Sequence, residues 1–260
     1  MNENIGDCAL CLNSNAMLQN SHFIPQGIYK VLRSQNKSPH PVVVTRTKAI
    51  KSSRQSTAYL MCSECEDRLN RNGENWVLKN CLIRNGDSIL NKKLINIQPD
   101  HIEESGLIYY ASRHNDIISI RDISYFAMSM FWRGSIYAWN DDKTTPLNLG
   151  PYGEKIRKYL MRESDLPDNL TITVMLRRPT EISQLTFFPT CSNENGFRLF
   201  RFPMPGIVFM LCVGKKIPKL LSEWCFVRGY ENPLFIPNNI DEILKSEVKD
   251  FIVKHKIKRN

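Results

Sequence analysis

Cys8-Ala9-Leu10-Cys11 and Cys62-Ser63-Glu64-Cys65 are two Cys-x-x-Cys pairs, and Ser21-His22-Phe23-Ile24-Pro25 lies between them. Each pair places two sulfurs on a tight turn. Two such turns facing each other make a tetrahedral S4 site, the coordination that structural zinc takes. With Cys8, Cys11, Cys62 and Cys65 all spent as thiolates, the metal keeps no open position and serves the fold alone. Cys11 and Cys62 are 51 positions apart. That is a long interval for a compact zinc finger, so a β-hairpin and a loop are expected inside the knot.

The rest of the composition describes an ordinary globular chain. It has 260 residues, 42% hydrophobic and 23% charged, with a formal net charge of +9. The basic excess favours polyanionic partners. The opening residues 1–7 lack the basic and apolar regions of a secretory signal, and no apolar run is long enough for a membrane span. A cytoplasmic, reducing location is the expectation, and there paired cysteines serve as metal ligands rather than disulfides. Cys81, Cys191, Cys212 and Cys225 show no paired spacing and are expected as small core residues.

The interval between the cysteine pairs is chemically one-sided. From Cys8 to Ser63 there is no Asp or Glu, while Lys30, Arg33, Lys37, Arg46, Lys48, Lys51 and Arg54 fall in the same stretch. These cations form a candidate phosphate-binding surface, giving affinity without sequence information and a steep salt dependence. Hydroxyls and amides at Ser52, Ser53, Gln55, Ser56 and Thr57 can add contacts. The alternative is a solvated basic loop.

The order Cys-x-x-Cys, His-x-Ile-Pro, Cys-x-x-Cys, then a polar helix start resembles the HNH endonuclease family over roughly residues 5–78. The resemblance implies a ββα-metal fold with a four-cysteine structural zinc. It matches His22 to the general base that takes a proton from the water attacking a phosphodiester. Glu66 falls where the family has a metal ligand. Asn70, one helical turn on, can face the same ion, and Glu74 is a further candidate along that face. The implied catalytic cofactor is a divalent cation, Mg²⁺ or Mn²⁺, and the implied substrate is DNA rather than RNA. One departure matters: Ser21 stands where HNH enzymes commonly have an acid before the catalytic histidine, and a hydroxyl is a poor ligand for such a cation. The rival reading is therefore an inactive zinc module that binds nucleic acid or a partner protein.

The expected organisation is α+β: an HNH-like domain over residues 1–83, a connector over 84–106 with one short helix, and an accessory α+β domain over 107–260 with a mainly antiparallel sheet. A strand is expected at Leu107–Ala111. Asp122 or Ser124 is expected to cap a helix running to Trp139, followed by a helix over Glu154–Arg162. Strands are expected at Thr171–Leu176, Gln184–Phe188, Phe197–Phe202 and Ile207–Val213, and a last helix over Asp241–Lys256. The Trp132-Arg133 pair and Trp139 are core aromatics or, less favoured, stacking surfaces for bases. No phosphate-loop or dinucleotide motif appears. By looser analogy with fused HNH modules, the second part targets or regulates the first, in a prokaryotic defence or mobile-element setting, through a protein partner or self-association.

Overall fold

The computed structural model describes residues 4–35, 42–44, 49–51, 55–84, 86–139, 146–178, 188–228 and 232–237. The chain is mixed α+β with mostly antiparallel sheets. The first part is a small sheet of strands β1 (Ile5–Gly6), β2 (Ala16–His22) and β5 (Thr57–Cys62), in the order β1-β2-β5. Between β2 and β5 lie helix α1 (Gln26–Gln35) and a two-stranded ribbon, β3 (Val42–Val44) with β4 (Ala49–Lys51). Helix α1 was not expected. Its signal is Pro25 followed by Ile28, Tyr29, Val31 and Leu32, all buried, an apolar stripe of helical spacing.

Strand β5 runs straight into helix α2 (Ser63–Leu69), with Cys62 at the N-cap. A wide π turn (Asn70–Glu74) follows, then helix α3 (Asn75–Asn80). In the stretch expected as a connector, a short helix α4 (Ile89–Leu94) is capped by Ser88, whose hydroxyl accepts the Asn91 N–H at 3.1 Å.

The large sheet has seven strands in the order β6-β7-β12-β8-β11-β10-β9. These are β6 (His101–Ile102), β7 (Ile108–Tyr110), β8 (Leu170–Leu176), β9 (Thr190–Glu194), β10 (Phe197–Met204), β11 (Ile207–Gly214) and β12 (Leu234–Ile236). All pairings are antiparallel except β12 with β8. Strands β8 and β11 are buried on nearly every residue, the mark of a sheet covered on both faces. The expected strands at 107–111, 171–176, 197–202 and 207–213 are present with ends shifted by a residue or two. Strands β9 and β12 were not expected. Of the stretch expected as a strand at 184–188, residues 184–187 lie outside the described residues and Phe188 is irregular; the expected last helix also lies outside them.

Helix α5 (Ile120–Ile136) lies between the sheet and the α2–α3 rod. Every residue from Ile123 to Gly134 is buried, as in a helix enclosed on all sides. Its N-cap is Ser119, not Asp122 or Ser124, because the Ser119 hydroxyl accepts the Asp122 N–H at 3.3 Å. Ser124 instead sits one turn in and donates to the Ile120 carbonyl at 2.5 Å, which satisfies a hydroxyl inside an apolar helix. Phe126 meets Phe209, and Phe131 meets Phe200 and Phe202 edge-on. Trp132 is buried, so it and Trp139 belong to the core. On the other side Gly73 admits α5: a Cβ there would lie 2.7 Å from both Asp122 O and Phe126 N. Helix α6 (Tyr152–Met161) packs on α5, and α7 (Lys219–Glu223) is short and exposed. One cluster of buried residues extends from Cys8 to Ile236, with Phe23 stacked on Phe188 at 4.8 Å.

Candidate functional site

Four sulfurs converge where β2, β5 and α2 meet. The Sγ atoms of Cys8, Cys11, Cys62 and Cys65 all lie within 4.8 Å of one another, and Cys11 Sγ is 3.9 Å from Cys62 Sγ. Zinc bound to four thiolates at about 2.3 Å holds its sulfurs roughly 3.8 Å apart, so the cage fits a structural metal ion such as zinc. The backbone builds it in two ways. The first pair sits on a turn closed by Leu12 N to Cys8 O at 2.8 Å, with Leu12 at φ 61°, a left-handed conformation costly for a bulky residue. The second pair is presented by the start of α2, where the Cys62 N–H donates to Cys8 Sγ at 3.3 Å.

A bulge connects the cage to the hairpin. The β2–β5 register passes from Gln19↔Met61 to Asn20↔Tyr59 and omits Leu60. The Leu60 carbonyl accepts the Ala9 N–H of the first pair at 2.9 Å.

The thiols cannot all ionise without a cation. Burial pushes Cys65 up, helped by the negative charge of Cys8, and burial likewise raises Cys11. Burial opposes ionisation of Cys8 too, but backbone N–H groups of Cys11, Cys62 and Leu10 outweigh it and bring Cys8 down to about 7. The favoured Cys8 thiolate and the disfavoured Cys11 and Cys65 belong to a donor set that a divalent cation would complete.

Behind the cage lies a polar cluster that is partly unforeseen. His22 ends β2 opposite Thr57. It is half-buried, and its imidazole bonds to no described residue. Ser21 is buried and its hydroxyl donates to Glu66 Oε1. Arg133 of α5, only 2% exposed, reaches three groups: the His22 carbonyl at 3.2 Å, Glu66 Oε2 at 3.4 Å and Glu74 Oε2 at 3.6 Å. Its Nε is buried with no hydrogen-bond partner among the described residues. The Trp139 indole donates to the Arg133 carbonyl at 2.7 Å and pins that end of the helix.

Glu66 and Glu74 both reach one guanidinium because of the π turn. Eight positions apart on a regular α-helix, they would point roughly 80° away from each other. The wider turn rotates less per residue and brings Glu74 back over Glu66. Burial raises the Glu74 carboxyl above its ordinary range; Arg133 works against this and Glu66 with it.

The expected site residues therefore divide. The four cysteines converge, and His22, Glu66 and Glu74 gather around Arg133, with Ser21 bonded to Glu66. Asn70 opens the π turn, half-buried, and its side-chain amide bonds to no described residue. Of the basic residues, Lys30 and Arg33 are exposed on α1. Lys51 is in β4, and Lys37, Arg46, Lys48 and Arg54 lie outside the described residues. Cys81, Cys212 and Cys225 are buried as expected, but Cys191 is exposed on the edge strand β9. Both Glu66 oxygens are already engaged, by Ser21 and by Arg133. Each oxygen keeps a lone pair beyond these contacts, but the contacts fix the direction in which the carboxylate can meet a cation.

No protein-family model, curated protein or solved structure matches the chain significantly. Among the described residues, no helix is long and apolar enough to cross a membrane.

Proposed function

We propose that this chain is an HNH-like endonuclease that hydrolyses DNA phosphodiesters, with His22 as general base and zinc in the four-cysteine cage. The observation that carries this reading is the position of His22. It ends a strand whose hairpin is stapled by the four sulfurs to the helix bearing Glu66. The imidazole is half-buried and unbonded to described residues, which leaves a ring nitrogen for a water. In this reading residues 1–83 form the nuclease unit and 107–260 the accessory part.

The cation expected with this chemistry, Mg²⁺ or Mn²⁺, would stabilise charge on the scissile phosphate. Asn70, whose side-chain amide bonds to no described residue, is a candidate ligand, and Glu66 would join it while also held by Arg133 and Ser21. His22 does its part whichever residues hold that ion, because it needs only a water and a neutral ring.

The engaged state of Glu66 favours a second reading: a zinc module that binds nucleic acid or a partner and cuts nothing. Cleavage of supercoiled DNA, linear DNA and RNA in Mg²⁺ and Mn²⁺, by wild type and His22→Ala, separates the two. Cleavage lost by about 10²-fold or more in His22→Ala, with zinc content and melting unchanged, supports the nuclease. Equal cleavage by both proteins removes His22 as the base. Absence of cleavage in wild type with bound zinc supports the second reading.

A further inference from the structure

Helix α2 has an outer face whose chemistry differs from the face turned toward Arg133. Glu64 and Arg68 each stand two residues from Glu66, roughly 200° around the helix, and so lie on the opposite side. There they line an open cleft of about 590 Å³ together with Arg71, Asn72 and Arg162. Three guanidiniums face one carboxylate. Among the described residues none of the three arginines is ion-paired.

The cleft is built, not a chance gathering of surface side chains. Asn72 ties two of its walls: its Nδ2 donates to the Arg68 carbonyl at 2.7 Å, and its Oδ1 accepts from Arg162. Arg162 comes from the end of α6, where it holds φ 63°, a left-handed conformation that a non-glycine residue adopts only when its surroundings enforce it. Arg71 spends its Nε on the Asp67 carbonyl at 3.3 Å and keeps its terminal nitrogens for a ligand. Burial raises the Tyr125 phenol to about 12, and the charges of Arg68 and Arg162 both work against that. Two of the three cations thus converge on one spot.

We propose that this cleft binds a phosphate group through Arg68, Arg71 and Arg162, as a site separate from the His22 centre. Guanidinium forks match phosphate oxygens two at a time, and a cleft with an excess of two positive charges suits a phosphate monoester or the diester of a nucleic-acid backbone. The site stands whether or not the protein cleaves DNA.

The test uses the full zinc-loaded protein and two probes, a short fluorescent DNA duplex and inorganic pyrophosphate. The variants are Arg68→Gln with Arg162→Asn, the latter chosen because asparagine tolerates the left-handed backbone. Wild type is expected to bind at least one probe. The double variant should bind it roughly tenfold more weakly, and for the duplex the log–log salt slope should fall by about 2, one per arginine. Duplex binding that the double variant weakens and that excess pyrophosphate displaces identifies a backbone site; pyrophosphate binding alone identifies a free phosphate ligand. Neither probe bound by wild type, or affinity within twofold in the double variant, overturns the proposal. If the double variant melts early through loss of the Asn72 contact, exposed Arg71→Gln decides by the same criterion: a salt slope lower by about 1 supports the site, and an unchanged slope overturns it.

Discussion

Replacing Arg133 by methionine keeps most of its volume and removes its charge. The guanidinium is 2% exposed, against 19% for Glu66 and 16% for Glu74. Its loss leaves two nearly buried carboxylates facing each other and strips the His22 carbonyl of a charged donor at 3.2 Å. Removing one partner of a buried pair costs about 3–5 kcal/mol. The carboxylates keep some water and methionine fills the space, so the low end applies, about 3 kcal/mol at neutral pH.

The pH dependence has a definite sign. Burial already raises Glu74, and Arg133 is what lowers it. Without Arg133 its folded-state value rises further above the unfolded one. A raised acid contributes stability below its unfolded pKa and loses it as pH climbs through the folded value. The variant's deficit is therefore largest at neutral pH and shrinks on acidification to about pH 5. Urea unfolding of wild type and variant at both pH values measures the difference and cancels any common effect on the zinc cage. Adding Glu74→Gln should recover at least about 1 kcal/mol at neutral pH, since it deletes one stranded charge. A deficit under about 1 kcal/mol, or one that does not change with pH, refutes the claim that Arg133 neutralises this pair.

Two further outcomes are expected. Cys62→Ser, or removal of metal by a strong chelator, should abolish the sharp thermal transition and release about one zinc per chain, since binding at such sites is worth about 10 kcal/mol or more; metal analysis alongside calorimetry checks this. Gly73→Ala drives a methyl to 2.7 Å from the α5 backbone and should destabilise by about 1–3 kcal/mol, read as a lower urea midpoint with zinc still bound.

The cysteine cage was legible because its evidence is local: two identical four-residue patterns whose chemistry has few uses. Strands β8, β10 and β11 were legible for a similar reason, as runs of branched and aromatic residues broken by Pro205-Gly206 and other turns. Helix α5 was legible as an apolar helix, but the role of Arg133 within it was not. It stands 111 positions from His22, and nothing near it in sequence marks it as a partner of Glu66. The same distance hid the use of Ser21. In sequence it is the absence of an acid; in the fold it is a buried donor that holds Glu66 in place. Strand β12 escaped notice because three residues, Leu234-Phe235-Ile236, carry too little pattern to specify a strand. Their parallel place beside β8 is a tertiary matter. The π turn likewise has no sequence signature of its own, though it decides that Glu66 and Glu74 share one partner.

The first cysteine turn is held from outside as well as by the metal its cage can bind. Arg157 of α6 is buried and donates to the Leu10 carbonyl between Cys8 and Cys11 at 2.8 Å, while Glu154 and Glu163 hold its other nitrogens. A zinc knuckle on a free surface can open alone and trade its ion quickly with solvent. This one is bolted to a helix that also packs against α5, so opening it means lifting α6 away. Metal release should therefore be slow and should follow the rate at which that helical layer separates from the rest. The ion then serves as a clock for the slowest opening of the molecule, and Arg157→Lys, which cannot span all three partners, should make it run fast.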